Sequence, residues 1–139
     1  MKTRQVTEVV KDLGELVRKV RPNWEISAAV FPAIEQNLRE KQQDWKTWSE
    51  KGYIDVLMPM LYSTNFGKVE SWAKEFKADV SPKTKIYPAF FIGHFYKAQS
   101  KEFNPAYLDL EKKLGFNGFG VFASQSLTDD LIQTLADRK

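Results

Sequence analysis

With 139 residues the chain is long enough for one domain with a single core, and 42% hydrophobic with 28% charged residues is the balance of a folded globular protein rather than a disordered one. The absence of cysteine excludes a disulfide framework, a thiolate metal site and a thiol nucleophile, and a single histidine argues against histidine-based metal centres. The net charge of +3 comes from 21 basic and 18 acidic residues interspersed as in Arg39-Glu40-Lys41, which reads as a solvated helical surface and not as a nucleic-acid footprint. No apolar run reaches membrane-spanning length, and Met1-Lys2-Thr3-Arg4-Gln5 lacks the apolar stretch of a signal peptide. Neither a cofactor nor a metal is expected.

Thr3 to Val20 predicts an amphipathic helix, because Val6, Val9, Val10, Leu13, Leu16, Val17 and Val20 recur at helical steps among charged residues. Arg21-Pro22-Asn23 stops it. Glu25 to Phe31 predicts a short strand ended by Pro32. The polar segment Ala33 to Gln42 reads as a loop, long for a strand-to-helix connection and hence a place for function. A helix over Asp44 to Lys51, closed at Gly52, leads into Ile54 to Tyr62, an apolar run expected of a strand buried on both faces. Val69, Trp72, Ala73 and Phe76 mark a further helix. Lys85 to Ile92 predicts a third strand. Asn104-Pro105 reads as a helix start and Gly115 as its left-handed end. Phe119 to Ala123 predicts a fourth strand, and Ser126 is a candidate cap for the last helix, whose face carries Leu127, Leu131, Ile132 and Leu135.

Four strands separated by helices must run parallel with right-handed crossovers. A small doubly wound sheet and part of a (β/α)8 barrel both satisfy that order. No Gly-x-Gly-x-x-Gly follows any strand and no Walker-type loop is present, so a nucleotide-binding reading is poor.

Two groups of residues carry a resemblance. One is Gln43-Asp44-Trp45 with Trp48, followed by Gly52-Tyr53-Ile54-Asp55 and Met58-Pro59-Met60-Leu61-Tyr62. The other is Ile26-Ser27-Ala28-Ala29-Val30-Phe31-Pro32 before them and Gly118-Phe119-Gly120-Val121-Phe122 after them. Together they resemble the C-terminal half of the glycosyl hydrolase-like 10 family of bacterial (β/α)8 barrels, over nearly the whole chain. The resemblance implies an α/β fold consisting of a parallel four-stranded half of a (β/α)8 barrel, strands five to eight with flanking helices, as a single partial domain over residues 1–139. It also implies action on polysaccharide, with cell-wall glycan favoured, and a parent protein that is exported or envelope-associated. An acidic motif of the type Asp-Tyr-x-Arg-Tyr-Pro, expected at the fourth strand, has no counterpart here, so the isolated chain is expected to lack a full catalytic site.

Glycoside hydrolysis generally needs two carboxyl groups flanking the bond. The loops after the strands offer Glu35, Glu40, Asp44 and Glu102. Asp44 is the catalytic candidate because it lies in the matching motif; standing directly before a Trp-x-x-Trp helix, it also has the plainer role of an N-cap, and the two are compatible. The substrate-binding candidates are Gln43, Trp45, Tyr62, His94, Phe95 and Gln125. Tyr62 ends the central strand, where its hydroxyl can meet a sugar or remain a rim tyrosine. Trp45 can stack on a pyranose or anchor its helix to the sheet. His94 and Phe95, with Phe90, Phe91 and Tyr96, can form an aromatic subsite or an apolar lid. Gln125 can bind a hydroxyl or its own backbone.

Half a barrel exposes two strand edges and its inner face, and these strands have no polar alternate to meet water there. A homodimer closing eight strands into a ring is the expected remedy, with terminal helices covering the edges as the other. A non-catalytic carbohydrate-binding or self-associating domain is the alternative function.

Overall fold

The computed structural model describes residues 2–92 and 106–137. The elements run α1 (Lys2–Val20), β1 (Ser27–Val30), α2 (Ile34–Glu40), α3 (Trp45–Glu50), β2 (Val56–Pro59), α4 (Phe66–Asp79), β3 (Lys85–Ile86), β4 (Ala89–Phe91), α5 (Ala106–Leu114), β5 (Gly120–Phe122), a 3-10 turn (Ser124–Ser126) and α6 (Asp129–Ala136). All pairings are parallel. β1, β2 and β3 form one sheet in that order, β4 and β5 a second, and a bridge between Met60 and Ala89 ties the two. The architecture is α/β with parallel strands, as the alternation of periodicities requires.

The third predicted strand is broken in two. Pro88 has no N–H to donate, so the ladder lapses between Ile86 and Ala89. Pairing continues around the gap: the Tyr87 N–H donates to the Leu57 carbonyl at 3.0 Å and the Gly120 N–H to the Pro88 carbonyl at 2.8 Å. The result is two small sheets where one sheet of four strands was expected.

Two further expectations change. The polar segment after β1 contains a helix, α2, because Ile34 packs against the core and Asn37 is buried with a backbone partner. The last helix is capped by Thr128, whose Oγ1 accepts from the Leu131 N–H at 3.3 Å, while Ser126 ends the preceding 3-10 turn. Asn104-Pro105 lies outside the described residues. Gly115 adopts the left-handed conformation expected of it, with φ of 62°, and Gly52, where α3 closes, does the same with φ of 68°.

The core lies on one side of the strands. Leu57 and Leu61 of the central run are fully buried with Trp45, Val69, Ala73, Phe76, Ile86, Phe90, Tyr107 and Leu108 from the helices and neighbouring strands. The alternate residues Met58, Met60 and Tyr62 point to the other face. That face is only partly covered, and at its rim Phe31 and Phe122 are 40% and 54% exposed.

α1 is held to this layer by polar contacts more than by burial. The Arg18 guanidinium pairs with Asp55 at 2.9 Å, and the other Asp55 oxygen accepts from the Ile26 N–H at 2.8 Å, so one carboxylate joins α1 to the entries of β1 and β2. Trp48 donates its indole N–H to Thr7 at 3.0 Å. Gly14 is the one buried residue of α1: a Cβ there would stand 2.7 Å from the Tyr53 carbonyl oxygen, which is backbone and cannot move aside. Gly14→Ala is therefore expected to lower stability by about 1–3 kcal/mol despite its better helix propensity. Urea unfolding checks this: the midpoint falls with the slope unchanged, whereas a rise would show that α1 is free to lift from the Tyr53 turn.

Candidate functional site

β1 delivers Phe31 to the C-terminal rim of the strands, and side chains from the next segment converge on its backbone. The Phe31 N–H donates to Gln43 Oε1 at 3.0 Å. Its carbonyl accepts from Trp45 Nε1 at 3.1 Å and from Asn37 Nδ2 at 2.5 Å. Between α2 and Gln43 the chain reverses at Gln42, a non-glycine residue in the left-handed region with φ of 57°, a conformation that costs about 1–2 kcal/mol. Asp44 then caps α3. Its Oδ1 accepts from the Thr47 N–H at 3.2 Å and its Oδ2 from the Thr47 hydroxyl at 2.8 Å. Trp45 is 1% exposed and packs on Phe76 with ring centroids 4.2 Å apart.

These contacts shape a cleft of about 320 Å³ between the β1–α2 turn, the end of β2 and α4. Phe31, Gln36, Glu40, Lys41, Met60, Tyr62 and Trp72 line it. Its volume is at the small end of the roughly 300–1,000 Å³ usual for ligand pockets. The Lys41 ammonium sits 5.2 Å from the Phe31 ring centroid, and the Lys68 ammonium 4.6 Å from that of Trp72. Glu40 accepts from Gln36 Nε2 at 3.0 Å. Tyr62 leans on Phe91 and Phe122 with centroids 5.5 and 6.1 Å away, and burial pushes its phenol above the ordinary range, so the hydroxyl stays a donor at neutral pH. A second cleft, of about 210 Å³, opens around Lys77, Ser81 and Gly115 at the strand-entry end, away from the rim where parallel barrels place their chemistry.

The model of the family described as Glycosyl hydrolase-like 10 matches residues 1–105. The chain belongs to the glycosyl hydrolase-like 10 family. A search of the curated proteins found no match. In this glycosyl hydrolase-like 10 chain no helix among the described residues is long and apolar enough to cross a membrane.

The sequence-derived candidates divide between scaffold and cleft. Gln43, Asp44 and Trp45 lie together behind the cleft and engage Phe31 or Thr47. Trp45 presents no open ring face, so stacking on a sugar gives way to anchoring of the Phe31 turn. Tyr62 is in the cleft wall. Gln125 is exposed in the 3-10 turn after β5. His94 and Phe95 lie outside the described residues, as does Glu102. Of the loop carboxylates, Glu40 lines the cleft and Glu35 is exposed on α2.

Sequence reasoning missed Asn37 and Trp72. Asn37 was hidden in a segment read as loop. Trp72 marks α4 together with Val69, Ala73 and Phe76, yet those three form the buried stripe at four- and three-residue steps while Trp72 sits on its edge, partly buried against the core and lining the cleft. That offset was the available signal.

Asn37→Ala is expected to cost about 1–3 kcal/mol, the penalty for disturbing a buried polar pair. Hydrogen exchange would show the α2 amides exchanging faster, with the core amides of β2 unchanged. Unchanged α2 protection would mean that Asn37 does not hold the turn.

Proposed function

We propose that this chain supplies strands five to eight of a (β/α)8 barrel that binds polysaccharide, with cell-wall glycan the class the resemblance favours, and that residues 1–139 form one partial barrel domain. The observation that carries this reading is the cleft at the strand C-termini of a glycosyl hydrolase-like 10 chain, walled by Phe31, Tyr62 and Trp72. Aromatic faces beside a few polar groups suit the apolar ring face and equatorial hydroxyls of a pyranose. Tyr62 and Gln125 are the hydroxyl-binding candidates, with His94 and Phe95 as further substrate-binding candidates. Gln43 and Trp45 serve by fixing Phe31.

Asp44 is the carboxylate of the matching motif at the strand-end rim, and both its oxygens are occupied by Thr47, while the motif's other carboxylate, Asp55, is held by Arg18 and the Ile26 N–H at the strand entries. A second carboxylate of the kind glycoside hydrolysis needs is not paired with it in the motif. The isolated chain is accordingly a sugar-binding unit with little or no turnover of its own. Titration with cell-wall and plant oligosaccharides is expected to change the tryptophan fluorescence, Trp72→Ala is expected to weaken the response at least several-fold, and hydrolysis is expected to stay at background. Lack of response to every oligosaccharide sinks the binding reading. Turnover that disappears in Asp44→Asn, which keeps the cap because asparagine caps a helix about as well, would make the chain an enzyme.

The open sheet face and the outer face of α1 support self-association. Val9, Leu13, Leu16 and Val20 form one stripe, each more than half exposed, and Ile132 on α6 is 49% exposed. Two copies closing a ring would bring α1 of one against α6 of the other, covering both. Each large side chain so buried contributes about 1.5–3 kcal/mol. Light scattering at micromolar concentration is expected to give a dimer; a folded monomer at that concentration removes the ring-closing copy.

A further inference from the structure

We infer that each cleft is completed in trans: β5 of one copy pairs with β1 of the other, and the partner's Phe122 and Gln125 join Phe31 at the rim. This rests on the ring-closing dimer proposed above and deepens the carbohydrate reading. β1 and β5 are the outer strands, run the same way and end at the same rim in an exposed phenylalanine, Phe31 and Phe122. Peptide groups alternate between the two sides of a strand. The carbonyls of Ile26 and Val30 accept from Val56 and Met60, so Ser27 and Ala29 turn their N–H and carbonyl groups away from β2. The Gly120 N–H donates to Pro88 and the Phe122 carbonyl accepts from Ile92, so Val121 turns its groups away from β4. Among the described residues no strand lies beyond either edge.

These free groups select a register. In a parallel ladder one residue bonds to the two that flank its opposite number. Val121 bonded to the partner's Ser27 and Ala29 therefore stands opposite Ala28. Sliding further toward the rim is blocked, because the Phe31 N–H and carbonyl are already engaged by Gln43, Asn37 and Trp45. The register sets Phe122 opposite Ala29, a small and exposed residue on the open face that leaves room for a ring beside Phe31. The 3-10 turn follows β5 directly, so its exposed Gln125, which stands apart from the cleft of its own chain, reaches the rim of the partner's. Charge favours a second copy as the occupant. α1 carries five basic and three acidic residues, whereas α6, which meets it in the closed ring, carries Asp129 and Asp130 and no base. A two-fold axis repeats both seams, giving two composite sites per dimer.

Two experiments test this on the full chain. The chain has no cysteine, so Ala29→Cys with Phe122→Cys in one molecule introduces a pair that lies on opposite outer strands of that molecule and meets only across copies. A short thiol cross-linker is expected to capture it as a covalent dimer, while either single variant stays uncaptured. Failure of the double variant to cross-link overturns the inference without touching the carbohydrate reading. The second experiment is complementation, followed by calorimetric titration with the cell-wall and plant oligosaccharides. Trp72→Ala and Gln125→Ala are each expected to bind roughly three- to ten-fold more weakly by themselves. When the two are unfolded together in urea and refolded as a mixture, about a quarter of all sites are expected to regain the original affinity, because half of the dimers are mixed and each holds one intact site. A mixture that binds no tighter than its components shows that both residues serve within one chain and overturns the inference, as does Gln125→Ala binding like the unaltered chain. Silence of the unaltered chain toward every oligosaccharide, with the cross-link formed, sinks the carbohydrate reading and the composite site but leaves the register.

Discussion

The peptide groups of Phe31 hold together everything at the strand-end rim. Its N–H and carbonyl lie just past the last ladder position of β1, where backbone groups lose their sheet partners and must find others. Gln43, Trp45 and Asn37 supply them, and each comes from a different element: the turn before α3, α3 itself and α2. Satisfying one residue's backbone thus fixes the direction of α2, the reversal at Gln42 and the seating of α3. The Trp45 ring carries this order into the core through Phe76. A cleft formed on such a turn has walls that are pre-positioned.

A second constraint is the one-sided burial of the strands. Parallel sheets are generally covered on both faces, because their crossovers place helices there or because a barrel closes on itself. Here Leu57 and Leu61 are buried beneath the helices, while Met58, Met60, Tyr62, Phe91 and Phe122 make an apolar second face that is partly open. The same imbalance marks α1, tethered by Arg18, Thr7 and the close approach of Gly14, with its strongest apolar stripe outward. The stripe and the open face are two halves of one surplus of apolar surface.

The motif that identifies the family performs mostly structural work in this chain. Gln43 and Trp45 bind backbone, and Asp44 caps a helix. Side chains lining the cleft come both from the matching segments, Tyr62 at the end of β2 and Phe31 at the end of β1, and from outside them, Trp72 on α4 and Lys41 around the turn.

The sequence by itself determined the alternation of helices with parallel strands, the left-handed glycine at 115, the capping position of Asp44 and the family, because each is written in local periodicity or in a contiguous motif. It could not show that Pro88 would divide a strand without ending the pairing around it, since that depends on neighbours supplying bonds on either side. Nor could it show that Asn37 lies buried or that Trp72, packed against the core, also lines the cleft. Those outcomes were decided by tertiary structure: a polar side chain is buried only where a distant backbone group waits for it, and an aromatic ring at the edge of a helical stripe takes whichever side its neighbours leave open.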